Sequence, residues 1–396
     1  MISITIGLFS DTFPPDINGV ATATKNLFDV LSSMGHTVYV ITTNLEGKKE
    51  ITEKDHIIRI PGLALKKLYS YRMAGVFSKK VYSYLKKLRL DVIHIQTEAG
   101  IGTFGRITAN LLDIPFVYTY HTMYADYSFY LKQYVPIPTK AATKIMSMFS
   151  KNWASSPDEM ITTSQKTKNA LLQYGVNRYI NVIPNGFDFN PLIEKSKDTK
   201  GIDEIRNKYG LNGILSFCVV GRLGKEKGID FLLHCLKRLI DVRGDKYKLL
   251  IVGNGGYKAE LIKLTNKLGL NNNVIFVGAV EHNKVALYYC ACDITVSSSL
   301  TETQGLTVAE AMSVKSLVLV REDLNFKPLI IDGKTGFFYQ NEDTFIEKVD
   351  LINSLSKEEI QSIKDAGFKK NKELNSLEAF GRSVEYVYKK ARRNNW

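Results

Sequence analysis

Short apolar runs and longer amphipathic segments alternate along most of this chain. Runs of β-branched and apolar residues bounded by turn formers are typical of buried parallel strands, whereas apolar positions three and four apart are typical of helices packed on a sheet. In the first half the pattern predicts strands at residues 4–9, 38–42, 91–95 and 116–119. Between them it predicts helices at residues 19–34, 75–90 and 102–112. This order favours a parallel sheet covered on both faces.

The same alternation starts again after residue 200. Strands are predicted at residues 214–220, 248–252, 274–277, 294–297 and 317–320, and helices at 228–241, 257–268, 284–290 and 306–312. The fold class is therefore α/β, with two doubly wound parallel-sheet domains. We predict an N-terminal domain at 1–185, a linker at 186–200 because that stretch is rich in turn formers and charge, and a C-terminal domain at 201–375. Residues 376–396 are predicted to form a C-terminal basic helix that packs back on the N-terminal domain.

Composition limits the class of protein. The chain has 396 residues, of which 44% are hydrophobic, so it can bury more than one core and is not a disordered protein. No apolar run reaches the length of a membrane-spanning helix, and residues 1–9 predict a first strand rather than a signal peptide, so we expect a cytosolic chain. The four cysteines form no C-x-x-C pair, and we expect buried, reduced thiols.

The charge of the chain indicates what kind of partner it binds. The 53 basic and 40 acidic residues leave a net charge of +13, which indicates an anionic partner. Residues 61–90 contain eight basic residues and no acidic one. The segment has apolar residues at helical spacing from Met73 to Leu88, and this stripe predicts a helix packed on the first sheet. Its lysines are then either a solvated face or an attachment surface for an anionic membrane.

Candidate chemistry lies where strands lead into helices, because parallel sheets bind ligands there and helix N-termini favour anions. Residues 219–228, VVGRLGKEKG, place Arg222 and Lys227 ahead of a helix, which suits either a diphosphate or a solvated basic loop. Residues 297–312 place Glu302 in a loop and Glu310 inside the next helix. One carboxylate can meet ligand hydroxyls there while helix amides meet phosphates; surface carboxylates are the alternative.

The histidines, and the absence of several common catalytic motifs from the sequence, narrow the range of possible reactions further. His121 ends a strand among tyrosines and is the better candidate for a ligand contact, whereas His94 is expected to be a core histidine. The remaining four, His36, His56, His234 and His282, are expected to be structural. No metal constellation, no P-loop and no G-x-S-x-G elbow occurs. Residue patterns alone therefore lead to a two-domain α/β enzyme or a binder of a phosphorylated ligand.

The ordered set of motifs resembles the retaining glycosyltransferases of family four, which have the GT-B fold. That fold has two Rossmann-like domains facing an interdomain cleft. The resemblance rests on DTFPPDINGVATAT near the start, IPNGFD at 183–188, VVGRLGKEKG, IVGNGG at 251–256 and SSSLTETQGLTVAEAM. Within the family, ETQGLT at 302–307 and YTYHTMYADY at 118–127 are most similar to the bacterial 1,2-diacylglycerol 3-glucosyltransferases, although many members have an aromatic residue where this chain has Gln304.

The resemblance implies a role for each matching residue. Arg222 and Lys227 would hold the donor's diphosphate, Glu302 and His121 would contact the donor sugar, and Glu310 would bind the ribose. The other implied donor-binding residues are Asn18, Gly19, Gln304, Gly305 and Leu306. The implied reaction moves a hexose, glucose from UDP-glucose, to a membrane lipid such as 1,2-diacylglycerol with retention, and makes a glycolipid. No cofactor and no metal site are expected, although a Mg²⁺ dependence without a structural site stays open.

The resemblance leaves the acceptor and the oligomeric state open. A polyprenyl-linked sugar, phosphatidylinositol or a soluble glycan is an alternative acceptor, and a UDP-sugar epimerase or a nucleic-acid-binding protein is a more distant alternative. With a lipid acceptor, the N-terminal domain would bind the acceptor on the inner face of the cell membrane, and no nucleic acid is expected as a partner. The predicted membrane-binding residues are Lys66, Lys67, Arg72, Lys79, Lys80, Lys86 and Lys87.

Overall fold

The computed structural model describes residues 3–16, 18–44, 50–64, 72–121, 139–299 and 304–393. The chain divides into two compact units. The first unit contains Met1–Phe187 together with Leu377–Trp396, and the second contains Asp188–Ser376. In the described ranges, no helix is long and apolar enough to cross a membrane.

The described residues of the first unit form an eight-stranded sheet and a separate two-stranded hairpin. Its strands are β1 (Thr5–Phe9), β2 (Thr37–Thr43), β3 (Thr52–Lys54), β4 (Ile57–Ile60), the hairpin strands β5 (Gly62–Ala64) and β6 (Arg72–Ala74), then β7 (Val92–Ile95), β8 (Phe116–Tyr120), β9 (Glu159–Thr162) and β10 (Asn181–Val182). The sheet order is β10-β9-β8-β7-β1-β2-β4-β3, and every neighbouring pair is parallel except β3 and β4. The carboxyl ends of β1, β7 and β8 therefore meet at one edge.

Helices cover both faces of this sheet. In the part of the unit that the structure describes, they are α1 (Gly19–Ser33), α2 (Lys79–Leu88), α3 (Gly100–Leu112), α4 (Thr139–Ser155), α5 (Gln165–Gln173) and the C-terminal helix (Leu377–Arg393). One core contains buried side chains of α2, α3, α4 and α5, and the other contains those of α1 and the C-terminal helix. Strand residues alternate between these two cores, as a sheet buried on both faces requires.

The second unit has a six-stranded, fully parallel sheet in the order β13-β12-β11-β14-β15-β16. Its strands are β11 (Leu215–Val220), β12 (Tyr247–Val252), β13 (Val274–Gly278), β14 (Ile294–Ser297), β15 (Leu317–Arg321) and β16 (Phe337–Tyr339). Its helices are α6 (Asn190–Lys195), α7 (Thr199–Tyr209), α8 (Ile229–Arg243), α9 (Lys258–Lys267), α10 (Val285–Ala291), α11 (Leu306–Ser313), α12 (Glu342–Ser354) and α13 (Lys357–Asn375), with 3₁₀ turns at Lys225–Lys227 and His282–Lys284.

The α/β class with two doubly wound sheets is confirmed, and the predicted central strands lie within about two residues of their observed bounds. All four cysteines are free, and three of them are buried. The pattern does not predict α4, β9 or α5.

Two predicted segments need correction. The helix predicted at residues 75–90 begins only at Lys79, because the Ser78 hydroxyl caps the Val81 amide and Met73 belongs to β6. The predicted linker at 186–200 instead contains α6 and the start of α7 and belongs to the second unit from Asp188 onward. Its turn formers begin helices, since Pro191 lies in the first turn of α6 and the Asp198 carboxylate caps Gly201 at 2.9 Å.

The segment predicted as a C-terminal basic helix at 376–396 forms Leu377–Arg393 and packs within the first unit. Phe380, Val384 and Tyr388 enter the same core as α1. The Lys390 ammonium lies 2.9 Å from the buried Glu159 carboxylate, which gives the helix an ionic contact beside its apolar one. A last helix that returns to the first sheet therefore completes that unit.

Candidate functional site

The loop after β11 gathers the predicted cations of the second unit. It turns at Gly228, whose φ of +61° is a left-handed conformation that favours glycine. A Cβ there would lie 2.6 Å from the Ser298 carbonyl oxygen. Only a glycine therefore lets the loop come this close to Ser298, which directly follows β14. Strand β14 lies beside β11 in the sheet.

Two buried serines hold this loop in place. The Ser298 hydroxyl donates to the Lys227 carbonyl oxygen at 3.0 Å, and the Ser299 hydroxyl donates to the Glu226 carbonyl oxygen at 3.2 Å. On the other side, the Leu223 amide donates to the Asn254 carbonyl in the IVGNGG segment at 2.9 Å. Neither serine was singled out from the sequence of residues 297–312. The adjacency of β11 and β14, which connects the two loops, is a property of the fold.

Arg222 and Lys227 line one pocket with Gly221, Ser298 and Thr307. The Arg222 side chain is 71% exposed, and its guanidinium forms an ion pair with Glu226. An exposed pair of this kind is weak, so an anionic ligand can compete with Glu226 for the guanidinium. The structure thus brings the two predicted cations together in a pocket where a phosphate can be bound by several donors.

The same pocket reaches the first turn of α11. Gly305 caps this helix with φ +70°, and a Cβ would lie 2.3 Å from the Phe326 ring. No side chain among the described residues caps the helix, so its first amides, those of Leu306 and Thr307, point toward the amino end as anion donors. Gln304 precedes the cap and is half-buried. Glu302 lies outside the described residues.

Glu310 is buried inside α11, and both of its carboxylate oxygens have protein partners. His282 Nε2 lies 2.9 Å from Oε1, and the Tyr289 hydroxyl donates to Oε2 at 3.0 Å. The hydrogen bond to Glu310 raises the pKa of His282, and burial raises the pKa of Tyr289 well above its usual value. His282 was expected to be merely structural, and Tyr289 was not singled out. Both orient the carboxylate predicted to meet a ribose.

In the first unit, Asn18 and Gly19 begin α1 after the end of β1. The Asn18 side-chain oxygen caps the Ala21 amide at 2.9 Å, so this predicted binding residue has a structural role at the helix start. Gly19 is exposed, and a Cβ there would meet no described atom within 4 Å. Among the described residues, the space beside the Gly19 Cα is therefore open.

His121 follows β8 and lies beside the end of β7. Its Nε2 is 2.8 Å from the Gln96 side-chain oxygen, and burial lowers the pKa of His121 to about 4. The imidazole is therefore neutral at neutral pH. With the Gln96 oxygen as acceptor, the proton is on Nε2 and Nδ1 is an acceptor. The Gln96 side-chain nitrogen is buried with no hydrogen-bond partner among the described residues.

His94 is the core histidine that the sequence predicts. It is 1% exposed, its Nδ1 lies 2.7 Å from the Tyr388 hydroxyl, and its Nε2 lies 2.7 Å from the Thr119 hydroxyl. Burial, with a smaller effect of His121, lowers the pKa of His94 to about 3. Its partner Tyr388 belongs to the C-terminal helix, so His94 connects that helix to the sheet.

The predicted membrane-binding residues are only partly described. Lys79, Lys80, Lys86 and Lys87 are exposed on α2, whose Val81 and Leu85 are buried. Lys66 and Lys67 lie outside the described residues, and Arg72 is described only as part of β6. In the ranges that the structure covers, no three His, Cys, Asp or Glu side chains lie close enough together to hold a metal ion.

Comparison with known proteins identifies the family. The model described as Glycosyltransferase Family 4 matches residues 17–190, and the model described as Glycosyl transferases group 1 matches residues 201–373. The chain is 30% identical to the alpha-monoglucosyldiacylglycerol synthase of Acholeplasma laidlawii, over 97% of this chain and 96% of that enzyme. It is 31% identical to the enzyme of the same name from Streptococcus pneumoniae, over 85% of this chain and 75% of that enzyme.

Solved structures show the same fold. The glycosyltransferase from Rickettsia africae ESF-5 superposes with a TM-score of 0.74 at 20% identity, covering 99% of both chains. Anabaena Alr3699/HepE, solved in complex with UDP and glucose, superposes with a TM-score of 0.68 at 19% identity, covering 98% of this chain and 99% of that one. These likenesses show the GT-B fold. The chain therefore belongs to the family-four glycosyltransferases of GT-B fold, and its activity is hexosyl transfer.

Proposed function

We propose that this enzyme transfers glucose from UDP-glucose to the free hydroxyl of 1,2-diacylglycerol with retention of configuration and so makes a membrane glycolipid. The observation that carries the proposal is the 30% identity to an alpha-monoglucosyldiacylglycerol synthase over almost the whole of both chains. The pocket of the second unit supports it, because that pocket combines two cations with the amide end of a helix. This combination suits a nucleotide diphosphate.

In the proposed reaction, the bond between the anomeric carbon and the diphosphate oxygen breaks. A bond to the acceptor oxygen forms on the same face of the sugar, and the acceptor proton leaves with UDP. Arg222 exchanges Glu226 for a phosphate oxygen, and Lys227 and the amides of Leu306 and Thr307 share the charge that develops on the leaving group. Electrostatic stabilisation of this kind acts most strongly in the transition state.

The remaining residues are proposed to bind and orient the donor. Glu310, held by His282 and Tyr289, accepts hydrogen bonds from the ribose hydroxyls. Glu302 contacts the sugar hydroxyls, and Gln304 and Gly305 help to orient the sugar. His121 accepts a hydrogen bond from the donor sugar at Nδ1, since Gln96 holds the proton on Nε2.

Gly19 and Asn18 are proposed to contribute the amide end of α1 to the diphosphate. We also propose that no cofactor is required, because side-chain cations and helix amides can neutralise the diphosphate themselves. Activity measured with and without EDTA tests this part, and complete loss in EDTA that only Mg²⁺ restores would contradict it.

The lipid acceptor implies a working position on the membrane. We propose that the enzyme lies on the inner face of the cell membrane as a peripheral protein, held there through the basic segment 61–90. The four exposed lysines of α2 support this proposal, because they lie on a helix that is already anchored by Val81 and Leu85. Their ammonium groups are therefore available to anionic headgroups.

A screen of donors against acceptors tests the substrate. Radiolabelled UDP-glucose, UDP-galactose and GDP-mannose are each offered with 1,2-diacylglycerol, phosphatidylinositol, a polyprenyl-linked sugar and a soluble glycan. We expect a radiolabelled product from UDP-glucose and diacylglycerol, with an α-linkage in its proton NMR spectrum. A product formed only with another lipid or with the soluble glycan would overturn the proposed acceptor, and a β-linkage would overturn retention.

A further inference from the structure

One face of the first unit carries most of that unit's exposed large apolar side chains. Among the described residues of this unit, nine such side chains are exposed, and seven lie on or directly before the helices that cover a single face of the sheet. They are Val76, Phe77, Leu111, Ile145, Met148, Phe149 and Leu172. On the opposite face, the C-terminal helix contributes only Tyr386 to this group. An uneven distribution of this kind marks an interaction surface.

The apolar side chains are most concentrated on α4. Met148 and Phe149 lie three and four residues after Ile145, so the three side chains form a continuous ridge on the outside of the helix. They are 51%, 62% and 39% exposed. A surface helix that carried no partner would place polar residues at these positions.

The other side of α4 is firmly packed. Trp153 and Ala154 are buried in the core, and Ser150 forms a hydrogen bond with the buried Tyr120 hydroxyl at 2.9 Å. The Phe149 ring lies 6.5 Å from the Trp153 ring, so Phe149 connects the ridge to the buried side of the helix. The ridge is therefore exposed by the orientation of a well-anchored helix.

The charge around the ridge indicates what it meets. The sequence of α4 contains Lys140, Lys144 and Lys151 and no acidic residue, and Lys144 and Lys151 are exposed beside the ridge. Apolar side chains surrounded by lysines are typical of surfaces that enter the interface of an anionic bilayer. There the lysine stems lie along the acyl boundary while the ammonium groups reach the headgroups.

Aromatic contacts connect this ridge to the basic helix α2. Phe77, directly before α2, lies 5.8 Å from the ring of Phe104 on α3. Arg106 of α3 lies over the Trp153 ring of α4 at 5.3 Å. The lysines of α2 and the ridge of α4 therefore belong to one packed helical layer on one face of the sheet.

We infer that Ile145, Met148 and Phe149 insert into the interfacial region of an anionic bilayer. Membrane attachment then has an apolar component on α4 that is separate from the electrostatic component on α2. This inference rests on the proposed lipid-acceptor function, and it adds a second attachment element to that proposal. The two components differ in their response to salt, because screening weakens charge attraction and leaves apolar insertion in place.

The first test uses the full chain and vesicles of phosphatidylcholine with and without phosphatidylglycerol. Sedimentation is measured at low and high salt for the wild type and for the triple variant Ile145→Ser, Met148→Ser, Phe149→Ser. We expect the wild type to keep a bound fraction at high salt, and the triple variant to lose that fraction with a partition at least about tenfold weaker. The matched control Tyr386→Ser, an exposed apolar side chain on the opposite face, should bind as the wild type does.

A second measurement does not depend on removing the ridge. Met148→Trp places an indole at its most exposed position, and its emission should shift to shorter wavelength on anionic vesicles and be quenched by acyl-brominated phosphatidylcholine. Unchanged emission, or a correctly folded triple variant that sediments like the wild type at high salt, would overturn the inference. A lipid-free wild-type dimer that the triple variant dissociates in sedimentation equilibrium would also overturn it, since the ridge would then bind a second copy.

One more assay separates this inference from the proposed function. Glucose transfer to a short-chain, water-soluble diacylglycerol needs no bilayer, so the triple variant should match the wild type there. If the wild type itself fails to glucosylate any diacylglycerol, the acceptor assignment is wrong. The vesicle and quenching measurements still decide whether the ridge enters a bilayer.

Discussion

The Ser298 hydroxyl donates to the Lys227 carbonyl oxygen at 3.0 Å, so the chain that leaves β14 holds the cationic loop that follows β11. Ser298 is buried, and the neighbouring buried Ser299 donates in the same way to the carbonyl oxygen of Glu226, the residue before Lys227. The position of the Lys227 backbone therefore depends on a residue 71 positions away. Any binding that needs Arg222 and Lys227 in one pocket needs these serines as well.

Removing both hydroxyls should loosen the loop. For the double variant Ser298→Ala, Ser299→Ala we expect a loss of about 1–3 kcal/mol in the free energy of unfolding, because two partly buried backbone carbonyls lose their hydrogen-bond donors. UDP should also bind more weakly in calorimetry. Ser354→Ala is the matched control, since that hydroxyl also donates to a backbone carbonyl but lies at an exposed end of α12. Equal effects of both changes on UDP affinity would contradict the role of the serines in the loop.

Arg222 and Lys227 should act mainly on the leaving group. Loss of one donor at a developing negative charge typically costs about 3–4 kcal/mol, so Arg222→Ala and Lys227→Ala should each lower kcat by roughly 100- to 1000-fold. Steady-state kinetics with UDP-glucose measure this effect, with Lys225→Ala as the control in the same loop. A raised KM with near wild-type kcat would show that the residues bind only the ground state.

Removing the charge of Glu226 should strengthen UDP binding. Its carboxylate pairs with the Arg222 guanidinium and occupies the cation that a phosphate would need. Glu226→Gln removes this competing charge, so UDP should bind a few-fold more tightly, as measured by calorimetry at low ionic strength. Weaker UDP binding would mean that the ion pair orients Arg222 instead of competing for it.

Glu302 and Glu310 should affect different steps, Glu302 the transfer of the sugar and Glu310 the binding of UDP. Glu302→Gln should damage transfer and leave free UDP binding nearly intact, because its proposed partner is the sugar. Glu310→Gln should weaken UDP itself, since the ribose loses an acceptor and His282 and Tyr289 lose their partner. Calorimetry with UDP on both variants decides this point, and equal losses would refute the division of roles.

His94 should make the first unit sensitive to acid. Its folded-state pKa of about 3 lies below its ordinary value of 6.5, so the neutral form is the one that the fold binds. The stability this group contributes is present above pH 6.5 and falls as pH drops from 6.5 toward 3, by up to about 1.4 kcal/mol for each pH unit. His94→Gln keeps hydrogen-bonding groups but cannot titrate, so its urea midpoint should fall less steeply over this range. A slope as steep as that of the wild type would assign the acid sensitivity to other groups.

Local sequence patterns determined the secondary-structure elements and many candidate residues of this protein, because such patterns depend on neighbours along the chain. Alternating apolar runs located strands such as β1, β7 and β11, and the strand-to-helix junctions placed Arg222 and Lys227 ahead of one helix and Glu310 inside another. Strand ends of a parallel sheet share one edge, so these residues could be identified as binding candidates before any contact was known. The order of motifs then identified the family.

Tertiary structure alone determined which distant groups meet. Ser298 lies next to the Lys227 loop because β14 lies beside β11, and Gln96 lies next to His121 because β7 lies beside β8. Tyr388 reaches His94 across 294 residues of sequence because the last helix packs on the first sheet. The exposed ridge of α4 could not be told from a buried stripe, since helical spacing is the same whichever way a helix faces. Periodicity specifies the element and its two sides, and only packing decides which side meets the core.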